Sequence, residues 1–399
     1  MRKRLLILTD SIAPPAYAPR VVSLCRYLTE QGWQCDVFSD CEKGNEPFTA
    51  AFGRWYSTSY YRRAKRWHYI ADKVFGARER QFQHFIEETV DVAKYDAIFC
   101  STCYYFPLLT TYHLSHKYHK PYVVDMRDIA EQWGNIAYNT TSVFHSRSLN
   151  LWLHRAFTAH NIHIRNRVLA AATHVVTVSP WHKELLSRYN PSTHLIYNGY
   201  DQKDFYPEDV PSDKFIISYT GKIYNLDFRD PRLLFEAMQQ LLVTKQIAYK
   251  DVQLNFFIDK TSIKVLQQMI DHYGLTRICQ ISEYIPKTEL LPLMHQSSIL
   301  LVLTCLSTPE GAHGIMGTKF FEALGVQKPV LCIRSDEECL AQVIQETNAG
   351  LAGKRTDEVA TFILDKYTEW KQKGFTRQHT QHSELFTRQY QSAQIAQLL

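Results

Sequence analysis

The sequence predicts an α/β protein built from two doubly wound parallel sheets, and three observations carry that prediction. The chain opens as strand, helix, strand, and a second series of the same kind begins near Phe215. Between the two series, Asp201–Lys214 holds Pro207 and Pro211 among acidic residues, a linker composition. A chain of 399 residues is also longer than a single core of usual size supports.

Composition narrows the class. A hydrophobic content of 45% with 21% charged residues belongs to a folded globular chain, and a net charge of +5 implies no global binder of polyanions. The apolar run after Met1-Arg2-Lys3-Arg4 stops at Thr9-Asp10, shorter than the roughly 7–15 residues of a secretory h-region, and reads as a first strand. No window approaches the roughly 20 apolar residues of a membrane span. Nine scattered cysteines, an odd number, fit reduced thiols and a cytoplasmic location.

In order, Leu5–Leu8 is a strand, followed by a loop with Pro14, Pro15 and Pro19. A helix from Arg20 carries Val21, Leu24, Cys25 and Leu28 at helical spacing until Gly32, and Cys35–Phe38 is the next strand. The first strand-to-helix loop lacks a GxGxxG fingerprint. Arg20, at the helix start, reads equally as an anion contact or as a solvated helix-end arginine. The segment Arg54–Arg80 interleaves Arg62, Arg63, Lys65 and Arg66 with Trp55, Tyr60, Tyr61 and Trp67. That mixture suits a membrane headgroup interface or a solvated insertion helix, and nucleic acid is not expected as a partner. Ala97–Cys100 and Pro121–Asp125 are strands. Between them Cys100 and Cys103, with His113, His116 and His119, lack a second ligand pair at zinc spacing, so a strand end and a helix surface are favoured and no metal is expected. Asp125-Met126-Arg127-Asp128 closes a strand. Ligands sit beyond strand carboxyl ends, so these charges read as a site or as an internal pair fixing a loop. Asn161–Ala172 is a helix, His174–Ser179 a strand, Trp181–Tyr189 a helix, and Leu195–Asp201 a last strand and turn.

The second series begins with Phe215–Lys222, a strand ending in a glycine turn and a lysine. A helix starts at Pro231, a suitable first position, and Val252–Ile258, Ile263–Tyr273, Ile278–Ile281 and Pro286–Gln296 alternate strand and helix. The buried strand Ile299–Leu303 leads to Glu310-Gly311-Ala312-His313-Gly314-Ile315-Met316-Gly317-Thr318-Lys319, a glycine-rich loop opening a short helix. There the helix dipole and exposed N–H groups favour an anion such as a diphosphate, and the alternative is an ordinary glycine-containing loop between strand and helix. Gly314 and Gly317 let the backbone approach a ligand, Thr318 is a candidate cap and Lys319 adds charge. Glu322, one turn further, would reach the hydroxyls of a ribose on that diphosphate. The tail from about Glu358 reads as helical and polar.

Taken together, these segments resemble a GT-B glycosyltransferase of the retaining family 4, in its polysaccharide-assembly and lipid-linked glycan branch. Pro14-Pro15 through Arg20 and Leu28–Asp36 are similar to the family's opening loop, helix and strand. Val124-Asp125-Met126-Arg127-Asp128 is similar to its D-x-R-D-x-W segment, with Trp133 arriving late. Thr177-Val178-Ser179, Tyr197–Asp201, Tyr219–Tyr224 with Arg229-Asp230-Pro231, and Gly317–Leu324 with Lys328-Pro329-Val330 resemble further landmarks in the family's order. The resemblance implies two Rossmann-like domains facing across a cleft: residues 1–205 on the acceptor side, 206–378 on the nucleotide-sugar side, and a C-terminal helix in 379–399 crossing back. It implies transfer of a sugar from a nucleotide diphospho-sugar to a hydroxyl of a glycan or lipid-linked acceptor, with retention and without metal or cofactor. Lys222, Arg229 and Gly317–Lys319 would serve the diphosphate and Glu322 the ribose. Arg127, Asp128 and Lys222 would act in catalysis, with Arg20 and Asp125 on the acceptor or sugar side. The family's first donor-loop glutamate falls at Gly314, and Glu310 or His313 would substitute for it. A nucleotide-sugar epimerase and a non-catalytic nucleotide-sugar-binding scaffold are the alternatives.

Overall fold

Apolar runs form the strands of two parallel sheets, seen in a computed structural model that describes residues 3–10, 19–40, 53–58, 72, 75–133, 146–223, 229–305, 311–333 and 339–399. The chain divides into Met1–Tyr197 with Arg388–Leu399, and Asn198–Thr387. In the first unit the strands are β1 (Arg4–Thr9), β2 (Gln34–Ser39), β3 (Arg54–Ser57), β4 (Ala97–Thr102), β5 (Tyr122–Met126), β6 (His174–Thr177) and β7 (Thr193–Leu195). Their order is β3-β2-β1-β4-β5-β6-β7. In β4 and β5 every residue is buried. This is why they read as continuous apolar runs rather than alternating ones: a parallel sheet is covered on both faces.

The second unit repeats the plan with β8 (Phe215–Gly221), β9 (Val252–Ile258), β10 (Cys279–Ser282), β11 (Ile299–Leu303), β12 (Val330–Ile333) and β13 (Gly350–Gly353), in the order β10-β9-β8-β11-β12-β13. Its core joins Leu234, Phe235 and Met238 of one helix with Ile363, Tyr367 and Trp370 of another, over Phe215, Leu254 and Phe256. Each sheet grows outward in both directions from its first strand. The strand order therefore reverses between β1 and β4, and again between β8 and β11. Such switch points leave a crevice at the strand carboxyl ends, and both carry candidate site residues.

Several boundaries differ from expectation. The division falls at Tyr197–Asn198, ahead of residue 205, because Tyr200 pairs with the end of the second unit, its N–H donating to the Phe386 carbonyl at 3.1 Å. The C-terminal helix begins at Arg388 and packs on the helix Pro19–Glu30 of the first unit. The helix expected from Asn161 already starts at Arg147. β3 and β13 were not expected. The segment proposed for a headgroup interface supplies β3: Arg54 donates to Asp36 at 2.8 and 3.0 Å, Trp55 donates to Ser39 at 2.8 Å, and Tyr56 stacks on Phe38 at 4.7 Å. Arg78 likewise donates to Asp40 at 2.6 Å and lies over the Phe106 ring at 3.7 Å. Those arginines and aromatics are spent on the sheet edge, whereas 59–71 lies outside the described residues.

Ile395 anchors the returning helix among Val21, Leu24 and Leu28, at 1% exposure. Ile395→Ala is expected to cost about 2–5 kcal/mol of unfolding free energy in a denaturant titration, with the loss confined to the transition of the first unit.

Candidate functional site

In the second unit the site grows from the ends of β8 and β11. The helix Thr318–Val326 enters beside them, and its first residues bring Lys319 back over the sheet. The Lys319 ammonium donates to the Thr220 carbonyl and lies 5.9 Å from the Tyr219 ring centre. Although the residue as a whole is exposed, its ammonium is crowded. A Cβ on Gly221 would stand 3.0 Å from it and 2.5 Å from the Tyr219 hydroxyl, so a side chain there would displace one or both. Arg229 donates from Nη1 to the Leu303 carbonyl at the end of β11. Burial pulls the Lys319 pKa down to about 8; Glu322 raises it and Arg229 lowers it further. The fold thus brings Lys319, Arg229 and Glu322 into one electrostatic neighbourhood.

The other expected residues fall around this group. Lys222 is exposed just after β8; against burial, hydrogen bonds from Ser262 and Thr261 and then the Lys222 charge hold the Asp259 carboxyl below its usual range. Ser262 pins the adjoining turn: its hydroxyl donates to the Ile223 carbonyl at 2.7 Å and accepts from the Ile223 N–H at 3.1 Å. In the loop before the helix, Ala312, Gly314 and Met316 are buried, while His313, Ile315 and Gly317 alternate outward. Asn198 fastens this loop, donating to the Met316 carbonyl at 2.9 Å. Thr318 does not cap. Gly317 occupies the N-cap position without a side-chain acceptor, and open space lies where its Cβ would be. The first N–H groups are therefore left for a ligand or solvent. Glu310 lies outside the described residues.

In the first unit, the charges at the strand ends separate into two groups. Arg20 and Asp125 are both buried: Arg20 Nε donates to Asp125 at 3.0 Å, and its other nitrogens donate to the carbonyls of Tyr197 at 2.6 Å and Ile196 at 3.0 Å. Ser101 donates to the same Asp125 oxygen at 2.8 Å. These two residues tie the first helix to three strand ends. Arg127 turns instead to Asp10, the residue following β1, whose other carboxylate oxygen accepts the Cys103 N–H at 3.0 Å. Gln132 donates to Asp128 at 3.2 Å, and burial pushes the Asp128 carboxyl above its usual range.

A cavity of about 460 Å³ lies at this end, lined by Asp10, Thr102, Tyr104, Tyr105, Arg78 and Glu79 among others. The Tyr105 hydroxyl is buried without a hydrogen-bond partner, and Glu79 accepts from the Leu109 and Thr110 N–H groups at 3.3 and 3.0 Å. Sequence reasoning did not single out Asp10, Glu79, Tyr105 or Asn198. Asp10 carried the signal used for Asp125 and Asp128, a carboxylate just past a buried strand. Among the described residues no group of histidine, cysteine and carboxylate is placed to hold a metal, and no helix is long and apolar enough to cross a membrane.

Residues 19–204 match Glycosyltransferase Family 4. By sequence, no curated protein matches the chain. Among solved structures, sucrose-phosphate synthase from Thermosynechococcus elongatus aligns at TM-score 0.65 and 16% identity, covering 100% of this chain and 98% of that one. Anabaena HepE in complex with UDP and glucose aligns at 0.62 and 15%, covering 99% and 98%. The lipopolysaccharide outer core galactosyltransferase WaaB aligns at 0.55 and 13%, covering 99% and 98%. The fold is that of the GT-B glycosyltransferases. The family match covers somewhat less than half of the chain, whereas the likeness of fold extends over all of it.

At position 314 the backbone has φ +64°, in the left-handed region, and the residue is buried. A glutamate there would be strained in its backbone and would have to bring a carboxylate to a buried position. Gly314→Glu is expected to lose about 1–2 kcal/mol of stability from strain alone, measured by thermal unfolding, with no gain in nucleotide affinity.

Proposed function

We propose that the protein transfers a sugar from a nucleoside diphospho-sugar to a hydroxyl of a glycan or lipid-linked acceptor, with retention at the anomeric carbon. The observation that carries this reading is the convergence of Lys319, Arg229 and Glu322 at the β8–β11 switch point, beside an uncapped helix start. The departing diphosphate gains negative charge as the glycosidic C–O bond breaks. N–H groups of 317–319 and the cations Lys319, Arg229 and Lys222 stabilise that charge where it develops. Glu322, one turn into the helix, accepts from the ribose hydroxyls. In the first unit Arg127 and Asp128 serve the acceptor. Asp128, whose carboxyl holds a proton above the usual range, takes the proton that the acceptor hydroxyl gives up. His313, partly exposed beside Gly314, would contact the donor sugar in this reading, where the family carries a glutamate. The complexes of Anabaena HepE with UDP and with UDP-glucose support a uridine nucleotide as the first donor to try.

The alternative with a specific observation behind it is a nucleotide-sugar-binding protein without transfer, since Gly314 supplies no carboxylate. Binding and turnover separate the two readings. UDP, GDP and ADP are tested by thermal shift on the wild type, on Lys222→Ala and on Glu322→Ala. One nucleotide at a hundredfold excess over its Kd is expected to stabilise the wild type by about 2.7 kcal/mol. Glu322→Ala is expected to weaken that nucleotide by about tenfold or more, the loss of hydrogen bonds to a charged group. No shift with any nucleotide overturns the donor site. A shift without release of nucleoside diphosphate from any donor selects the alternative.

The pH dependence follows from Lys319. Its folded pKa is lowered to about 8, so the ammonium is charged below that pH and neutral above it. Affinity for a nucleoside diphosphate is expected to weaken as pH rises through about 8. Lys319→Arg, which keeps its charge, should flatten that profile when dissociation constants are measured from pH 6.5 to 9.5 by calorimetry, a range of roughly 1.5 units either side.

A further inference from the structure

The helix Arg147–Ala171 does not use most of its length for packing. Over 25 residues its buried side chains are Arg165, Val168 and Leu169, all in the last two turns. Before Arg165 every residue is exposed or half-buried, yet the sequence there is not that of a solvated helix. Leu149, Trp152, Ala156, Ala159 and His163 recur at spacings of three and four, so they form one stripe, and all five are exposed. Leu149 is 52% and Trp152 67% exposed. Arg155 borders the stripe on one side, His160 and Arg167 on the other, and all three are exposed. No aspartate or glutamate occurs between Arg147 and Ala171, whereas four arginines and three histidines do. Phe75, 65% exposed, lines the first-unit cavity together with His160 and Asn161 of this helix, and so adds a further apolar group beside it.

An ordinary surface helix turns its apolar stripe inward and mixes both signs of charge outside. Here the outward stripe is apolar, its borders are cationic and the helix itself carries no carboxylate. We propose that this outward face of the helix Arg147–Ala171 seats the protein on an anionic lipid surface, with Leu149 and Trp152 entering the headgroup boundary and Arg155 and Arg167 meeting lipid phosphates. A lone Trp buries a large apolar area at such a boundary while its indole N–H stays with polar groups. Each arginine near an anionic leaflet adds attraction that salt screens. The inference goes beyond sugar transfer: the surface lies outside the donor residues and concerns where the protein works.

The test is co-sedimentation of the full chain with vesicles of phosphatidylcholine alone and of phosphatidylcholine with phosphatidylglycerol. The variants are Trp152→Glu and the pair Arg155→Glu with Arg167→Glu, with circular-dichroism melting to show that each is folded. The wild type is expected to sediment with the anionic vesicles only, and less as salt rises. Each variant is expected to bind about tenfold more weakly or worse. Equal binding by the folded variants, or no binding by the wild type, overturns the proposal. So does a wild-type dimer in light scattering that Trp152→Glu dissociates without any vesicle binding, since the face would then take a second copy. None of these readouts uses a nucleotide, so this inference and the transferase reading fail separately.

Discussion

Lys319 reaching the Thr220 carbonyl joins the start of one helix to the end of one strand, and the second unit's site depends on that junction. The contact exists because β8 and β11 are neighbours although the β9 and β10 excursion separates them in sequence. Reversal of strand order opens the ends of both strands to the following helices. One cation then lies over β8 and another, Arg229, over β11. Two cations held close by main-chain carbonyls repel each other, and that repulsion contributes to the lowered Lys319 pKa. Glu322 offsets it. A group of this composition is complementary to a ligand with several negative charges at one end and hydroxyls at the other, which is what a nucleoside diphosphate presents.

The first unit solves a different problem with similar residues. Burying Arg20 and Asp125 costs solvation at both ends, and a pair of this kind persists only when its hydrogen bonds are nearly complete. Arg20 meets that condition with one carboxylate and two carbonyls, whereas one Asp125 oxygen stays without a partner. The pair therefore acts on geometry: it sets where the first helix begins and holds the end of β5. Arg127 and Asp128, a few residues later, are largely buried at the same strand end, Arg127 held to Asp10 and Asp128 to Gln132. Four charges that look alike in the sequence divide into two sets with different partners, and the proposed reaction assigns Arg127 and Asp128 to the acceptor.

An outward apolar face on a helix of the first unit gives that proposal a setting. A lipid-linked acceptor presents its hydroxyl within a short distance of a bilayer, and an enzyme held at the surface meets it by lateral diffusion. The basic and aromatic composition of 54–80 suited a membrane surface or a solvated insertion helix, and two of its described arginines, Arg54 and Arg78, are engaged by Asp36 and Asp40. The helix Arg147–Ala171 carries the better-formed surface.

The sequence by itself determined the layered plan. Buried parallel strands must be apolar along their whole length, so Ile299–Leu303 or Pro121–Asp125 could be read directly, and the helix start after Gly317 could be read from the glycines that precede it. Local pattern was less help where a segment has no core to face. The first turns of the helix Arg147–Ala171 show no inward apolar stripe, so their helical state escaped notice, and short edge strands such as Arg54–Ser57 look like any aromatic run. Only the tertiary structure decided which charges meet: Asp10 with Arg127 across more than a hundred residues, Lys319 with Thr220, Arg20 with Asp125. Pairing of that kind is set by strand order, which depends on how whole strands pack against one another and leaves no local trace in the residues that end them.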